Sequence, residues 1–160
     1  MIIAFTGYKE SGKDTAAQVL IDKYGFVKHC FADELRIATE AKGRYPEIRR
    51  LMRAFATDWV RERVDGDFWL NLFRKTVAKD LLECANIVIT DLRFKNEARW
   101  VHDTGGHIVA VYRNGYECDG HKSETLEGVT ADFVLENNET IANLRQLTED
   151  LVERLFHDAL

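Results

Sequence analysis

The chain has a single proline, Pro46, among its 160 residues, and only three cysteines, Cys30, Cys84 and Cys118. The cysteines are odd in number, scattered and free of any metal-ligand spacing, so a disulfide framework and a zinc knot are both excluded and a reducing compartment is expected. No apolar run approaches the ~20 residues of a membrane span, and the opening lacks a charged segment followed by an apolar one, so a soluble, cytoplasmic protein with no membrane partner is expected. A basic surplus is missing too. Lys and Arg number 22 against 27 Asp and Glu, a formal net charge of -5, which argues against a surface that coats a nucleic acid polymer. Any nucleotide partner should be a small molecule held in a pocket. The length suits one domain, residues 1–160, large enough to bury a real core.

What is present begins with glycine and lysine in a fixed arrangement. Residues 7–15 read GYKESGKDT, preceded by the apolar run Ile2-Ile3-Ala4-Phe5-Thr6 and followed by a helical pattern from Ala16 to Ile21. Strand, glycine loop, helix is the order that a phosphate-binding P-loop requires. Glycines let consecutive backbone N–H groups turn inward around a phosphate, the helix start adds its positive dipole end, and Lys13 reaches the terminal phosphates. Gly7, Lys9, Ser11, Gly12, Lys13, Asp14 and Thr15 are therefore the candidate contacts to a nucleoside triphosphate. The slot after the lysine, where a Ser or Thr hydroxyl usually meets magnesium, holds Asp14, and Thr15 comes one place later. Monophosphate kinases of the adenylate kinase type also lack a hydroxyl in that slot. Asp14 either complements the helix dipole or holds a water of a magnesium shell.

Further along, Gly25 marks the end of the first helix near Tyr24, and 26–31 reads as a second strand. Asp33 is placed to cap a short helix, and Arg36 follows on the side where an acceptor phosphate would lie, or is a solvated helix arginine. Pro46 suits the first turn of a long helix whose stripe is Ile48, Leu51, Met52, Phe55, Trp59 and Val60, flanked by Arg49, Arg50, Arg53, Arg61 and Arg63. Few acids are spaced to pair with these arginines, and arginine is a natural partner of phosphate. A helix over 70–82 follows. The run 86–91, Asn-Ile-Val-Ile-Thr-Asp, then reads as a buried parallel strand ending in an acid. Asp91 is either a turn residue or a metal-side carboxylate beside the loop, and Arg93 is close enough to reach phosphates. Phe94, Asn96 and Glu97 open the next helix; Phe94 could stack on a base, while Glu97 is either a sugar contact or a surface acid.

A fourth strand is expected over 107–112 and a fifth over 132–135, with a closing helix from 140 to 160 whose apolar face includes Ile141, Leu144, Leu147, Leu151, Val152 and Leu155. Between the last two strands, 113–130 is polar and without period, the form of a lid-like loop, and it contains Arg113, His121, Lys122, Ser123 and Glu124. Arg113 and Asn137, which follow the fourth and fifth strands, are further candidates for the triphosphate side. His121 receives no catalytic role, because phosphoryl transfer relies on positioning and charge neutralisation.

Taken in order, GYKESGKDT, FADELR, RRLMRAFATDWVRERVDGDFW, ITDLRFKNEA, HKSE and DFVLENNETIANL resemble the phage-type deoxynucleoside monophosphate kinases, over nearly the whole chain. The resemblance implies an α/β, three-layer P-loop kinase fold, with five parallel strands in adenylate-kinase order and helices on both faces. It implies ATP and Mg2+ as donor and cofactor and a deoxynucleoside monophosphate as acceptor. It also implies roles at matching positions: Lys13 on donor phosphates, Asp91 near the metal, and Arg93 bridging donor and acceptor phosphates; Asp14 and Thr15 are the loop's own candidates on the metal side. By the same resemblance Arg36, Arg50, Thr57, Trp69 and Glu97 fall around the acceptor, and Asp33 and Phe94 join them as candidates, within a segment of about 32–70 and the turn after the third strand. Ala56 stands where some relatives carry a glycine before the Thr-Asp pair. Three other readings stay open: a P-loop kinase of another phosphorylated metabolite such as a coenzyme precursor, a slow nucleotide-hydrolysing switch, and a structural protein on the same fold. A homodimer is also open.

Overall fold

The structure is a computed structural model that describes residues 1–33, 54–115 and 126–158. Five strands form one sheet in the order β2-β3-β1-β4-β5. They are β1 (Ile2–Thr6), β2 (Val27–His29), β3 (Ile87–Ile89), β4 (His107–Tyr112) and β5 (Phe133–Glu136). Every neighbouring pair is parallel, with Ile3 opposite Val88 on one side and opposite His107 on the other. A parallel strand needs a crossover to reach its neighbour, and helices supply it. These are α1 (Lys13–Tyr24), a π-helix (Ala54–Val64), α2 (Phe68–Leu82), α3 (Lys95–Asp103) and α4 (Ile141–Asp158).

Strand position explains strand composition. β1 and β3 lie inside the sheet with both faces covered, and IIAFT and IVI are buried at every residue. Edge strand β2 reads VKH and is mostly exposed. Side chains alternate across the sheet, so Ile3 and Phe5 of β1 pack with Ala16, Ala17 and Leu20 of α1 and with Leu144, Val152 and Leu155 of α4. Ile2 and Ala4 face the other way, onto Leu70, Phe73 and Val77 of α2 and Ala98 and Val101 of α3. The result is three layers, as expected from the sequence.

Element boundaries shift by a few residues: β2 ends at His29, before Cys30 and Phe31, and α2 begins at Phe68. Two residues expected on apolar stripes face out, Trp59 at 51% exposure and Ile141 at 63%. For Trp59 the cause is winding, since the segment is a π-helix and its i→i+5 bonding rotates faces away from the 3.6-residue period, leaving Val60 buried. Ile141 opens α4 before its buried face is established, and that face includes Thr148, whose hydroxyl donates to the Leu144 carbonyl at 2.7 Å. The long helix expected from Pro46 and the short one at Asp33 lie mainly outside the described residues. Among the described residues no helix is long and apolar enough to cross a membrane.

Candidate active site

The carboxyl ends of parallel strands are where the chain leaves the ladder and its backbone groups need new partners. At the end of β1 the chain enters the glycine loop. Gly7 has φ 132°, and a Cβ there would lie 2.4 Å from the Val111 carbonyl oxygen, so only glycine passes so close to β4. Gly12 is the N-cap of α1 at φ 108° and, having no side chain, offers no cap to the helix's first N–H groups. Lys13 is buried at 9% exposure. Its Nζ donates to the Gly7 carbonyl at 2.8 Å, to the Tyr8 carbonyl, and to Ser11 Oγ at 3.4 Å, so the ammonium lies within the loop itself.

From the far side of the sheet Asn137, just beyond β5, closes the loop. Its backbone N–H donates to the Tyr112 carbonyl at 2.7 Å, and its Nδ2 donates to the Ser11 carbonyl at 2.8 Å. Asn137 was expected to contact a triphosphate; the structure shows it bonded to the loop that would hold one. Thr15 is half-buried on the first turn of α1, Lys9 is exposed beside Glu10, and the Asp14 carboxylate, 82% exposed, pairs with Lys28 Nζ at 3.0 Å.

A second group gathers at the end of β3, the neighbour of β1. Asp91 accepts from the backbone N–H of Phe31 at 2.8 Å and of Ala32 at 2.9 Å, one on each carboxylate oxygen. It thereby holds the segment that leaves β2. Beside it Cys30 Sγ lies 3.1 Å from Thr90 Oγ1, and burial, aided by the Asp91 charge, pushes the Cys30 thiol up to about 11. Three residues on, the N-cap of α3 is Phe94, which has no side-chain oxygen to cap with. Glu97 does that work instead: its Oε2 accepts from the N–H of Arg93 at 3.0 Å and of Phe94 at 3.1 Å, while Oε1 pairs with Arg61. Glu97 is 1% exposed, so it is not a surface acid. Burial raises its pKa above the usual carboxylate range, and Asp91 adds to the rise, against the opposing pull of Arg61 and the two amides. The Arg61 guanidinium also lies over the Phe94 ring, 3.9 Å from its centroid.

Arg61, Arg93 and Phe94 border a cleft of about 650 Å³ whose walls also include Lys95, Asn96 and Arg99. Asn96 Nδ2 is held by the Gly66 carbonyl at 3.1 Å and by Asp67 Oδ1 at 2.7 Å, which ties α3 to the turn before α2. Trp69, expected at the acceptor, is 3% exposed and packs with Val60 in a small satellite core. Asp33 closes the first described segment, its N–H bonded to the Cys30 carbonyl at 3.1 Å. Arg113 follows β4 directly. Arg36, Arg50, the Thr57 side chain and residues 116–125 of the expected lid, His121 included, lie outside the described residues.

Sequence reasoning had no signal for the Asn137 bond, which joins residues 126 apart, and it grouped Arg61 with four other arginines. The hint for Arg61 was the absence of a capping side chain at position 94, which leaves Glu97 three residues on to be drawn inward as the cap and in need of a cation. Among the described residues no three His, Cys, Asp or Glu side chains cluster closely enough to hold a metal ion. The Thr15 hydroxyl and the Asp91 carboxylate are hard oxygen donors, which suits magnesium, an ion that keeps several waters and takes phosphate oxygens as ligands.

The profile of the family described as deoxynucleotide monophosphate kinase matches residues 35–147. A protein of Acanthamoeba polyphaga mimivirus, provisionally named a deoxynucleotide monophosphate kinase, is 31% identical over an alignment covering 88% of this chain and 90% of the viral one. Among solved structures, shikimate kinase from Aquifex aeolicus superposes with TM-score 0.60 at 14% identity, covering 100% of this chain and 99% of the other. Dephospho-CoA kinase from Campylobacter jejuni gives TM-score 0.56 at 13% identity, covering 99% and 98%. At those identities the two structures establish the P-loop kinase fold.

Proposed function

The chain belongs to the deoxynucleotide monophosphate kinase family, and from that premise we propose that it transfers the γ-phosphoryl of ATP to a deoxynucleoside 5'-monophosphate. The products are ADP and the deoxynucleoside diphosphate. One observation carries the reading: the loop with Lys13 leaves β1, and the turn with Asp91 and Arg93 leaves β3, its hydrogen-bonded parallel neighbour, so both open at the same edge of the sheet. A donor in the loop and an acceptor in the cleft lined by Arg93 then meet across that edge.

In this reading an acceptor phosphate oxygen attacks the γ-phosphorus as the bond to the β–γ bridging oxygen breaks and ADP leaves. Lys13 exchanges its loop carbonyls for phosphate oxygens, and the loop N–H groups of Gly7 to Thr15 cradle the donor. Arg93 offsets the charge of two anionic ligands brought together, and Arg36 and Arg50 join it from the acceptor segment. Thr15 and Asp91 would hold a magnesium shell, and Asp14, paired with Lys28 on the first turn of α1, would complement the helix dipole. The ion supplies charge neutralisation at the donor phosphates. Phe94 and Asn96 border the acceptor's sugar and base, and closure of 113–130 over the cleft, with Arg113 at its base, excludes the water that would otherwise compete.

Incubation with magnesium ATP and each deoxynucleoside and ribonucleoside monophosphate in turn, following ADP and the diphosphate, tests this. Acceptor-dependent ADP release with a deoxynucleoside diphosphate product supports it and identifies the base. ADP formation at one slow rate whatever nucleotide is added would overturn it, in favour of another acceptor or a hydrolytic switch.

A further inference from the structure

We propose that Arg61 is a positioning residue of the phosphoryl transfer, clamping the Arg93–Phe94 turn against the acceptor-side π-helix through Glu97. Nothing in the motif pattern singles it out, and the inference rests on the kinase reading above.

Arg61 lies in the last turn of the π-helix, 36 residues before Glu97 in sequence, so the contact is tertiary. The Glu97 carboxylate is 1% exposed and accepts three bonds: two from backbone N–H groups of Arg93 and Phe94, one from Arg61 Nη2. A carboxylate so deep is tolerated only when charge and lone pairs are both met. The two amides meet lone pairs; Arg61 is the cation that the structure pairs with it among the described residues. The Arg61 side chain is itself only 11% exposed, and its Cζ lies over the Phe94 ring, 3.9 Å from the ring centre. One guanidinium therefore touches the turn twice, at the carboxylate that holds the Arg93 and Phe94 N–H groups and at the Phe94 ring.

The consequence is geometric. Arg93 projects from a backbone whose own N–H is fixed by Glu97, and Glu97 is fixed by Arg61. The acceptor segment ends in the π-helix that carries Arg61, so the same pair sets the distance between the segment that would bring the acceptor and the arginine that would meet its phosphate. Lysine cannot replace this contact in full, because a point charge satisfies Glu97 but offers no plane to the Phe94 ring.

The test compares the wild type with Arg61→Met, Arg61→Lys, Glu97→Gln and the Arg61→Met/Glu97→Gln double variant. Steady-state kinetics are measured for acceptor and donor separately, with thermal unfolding of each protein. Arg61→Met is expected to lower kcat/KM for the acceptor by about 10-fold to 100-fold, the scale of an ångström-sized misplacement, while the KM for ATP stays within about twofold. Arg61→Lys should recover part of the loss. Glu97→Gln should act in the same direction, and the double variant should be no worse than about twofold below the weaker single, since both break one contact. The proposal is overturned if Arg61→Met leaves acceptor kcat/KM within about twofold of wild type, or if the two losses multiply. It is equally overturned if donor and acceptor parameters fall together in step with the melting temperature, the pattern of a merely structural pair. Should Arg61→Met not fold, Arg61→Lys and Glu97→Gln decide the question by the same criteria. A wild type that transfers to no nucleotide contradicts the kinase reading instead, and the five proteins compared on whatever acceptor, or water, it does use still decide the role of Arg61.

Discussion

Replacing Gly12 by alanine should damage stability and donor binding together, for reasons that can be separated. Gly12 sits at φ 108° and ψ 8°, where an L side chain is strained by about 1–3 kcal/mol. Its new Cβ would lie 2.6 Å from Asn137 Nδ2 and 2.9 Å from Leu144 Cδ2. Leu144 is 1% exposed and cannot retreat without disturbing the core, so the Asn137 amide has to move. That movement removes the 2.8 Å bond to the buried Ser11 carbonyl, a loss of about 1–3 kcal/mol. Together the two effects come to about 2–6 kcal/mol, a roughly 30-fold or greater fall in the folding equilibrium. Urea denaturation of wild type, Gly12→Ala, Asn137→Ala and the double variant measures each contribution. Because both substitutions sacrifice one hydrogen bond, and Asn137→Ala also opens space for the new methyl, the double variant should lose about 1–2 kcal/mol less than the sum of the singles. The KM for ATP should rise in both singles, as the Ser11 peptide is no longer held. A Gly12→Ala protein within about 0.5 kcal/mol of wild type, or strict additivity of the two changes, would refute the account of the loop as a structure braced from β5.

Other expectations follow from the same contacts. Lys13→Ala should lower kcat by about 100-fold or more while the protein remains folded, by analogy with loss of one electrostatic donor at a developing charge; near-normal turnover would contradict the assignment of the loop. Asp91→Asn presents only one oxygen to the N–H groups of Phe31 and Ala32, so it should lose about 1 kcal/mol in urea denaturation as well as activity, and a variant that is inactive at full stability would leave only the metal-side role. With Cys118 replaced by serine, a maleimide at pH 8 should label exposed Cys84 and spare Cys30, whose thiol is buried and pushed up to about 11; mass spectrometry of the digested protein reads the outcome. The native pKa of Glu97 is raised, chiefly by burial, so the folded state binds its proton more tightly than the unfolded state does. Stability relative to Glu97→Gln should then fall as pH rises from the ordinary carboxylate value through the native one, with Arg61 opposing and Asp91 reinforcing the trend. A gap between the two proteins that widens in favour of wild type over that range would reverse the sign and the reasoning.

The architecture was legible where it depends on local pattern. The apolar runs of β1 and β3, the alternation in β4, the glycine at the end of α1 and the glycine loop itself each carry their physical cause within a few neighbouring residues. Winding was not legible, because the π-helix over Ala54–Val64 shows no departure from a helical composition, yet its changed period turns Trp59 outward beside a buried Val60. Within the site, Lys13, Asp91 and Arg93 could be placed at one sheet edge from sequence order alone, since a parallel sheet brings strand exits together. The partners of these residues could not. Asn137 meets Ser11 across 126 residues, Asp91 meets Phe31 across 60, and Arg61 meets Glu97 across 36; no local rule specifies such pairings. Glu97 is the instructive case, since its place at the start of a helix was visible but its burial is set by the tertiary approach of Arg61.

A common logic joins these long-range bonds. At the carboxyl edge of a parallel sheet, peptide groups beyond the last ladder bond have no strand to pair with, and water would satisfy them at the cost of a loose site. Here side chains take that part. Asn137, leaving β5, holds the loop that leaves β1, and its own N–H reaches back to Tyr112 at the end of β4. Asp91, leaving β3, holds the two N–H groups that leave β2. Glu97 holds the turn that follows Asp91 and ties it to Arg61. The exits of β5, β4 and β1 are thus tied together, and those of β3 and β2 likewise, before any ligand arrives, with Asn137 and Asp91 as fasteners and the buried Glu97–Arg61 pair holding the turn beyond β3 to the π-helix. In the proposed phosphoryl transfer, where catalysis would consist mostly of placing two anions in line and offsetting their charge, rigidity of these exits would be the protein's main contribution. Asn137 and Arg61, which hold the loop and the turn in place, should therefore affect turnover through the geometry they impose on Lys13 and Arg93.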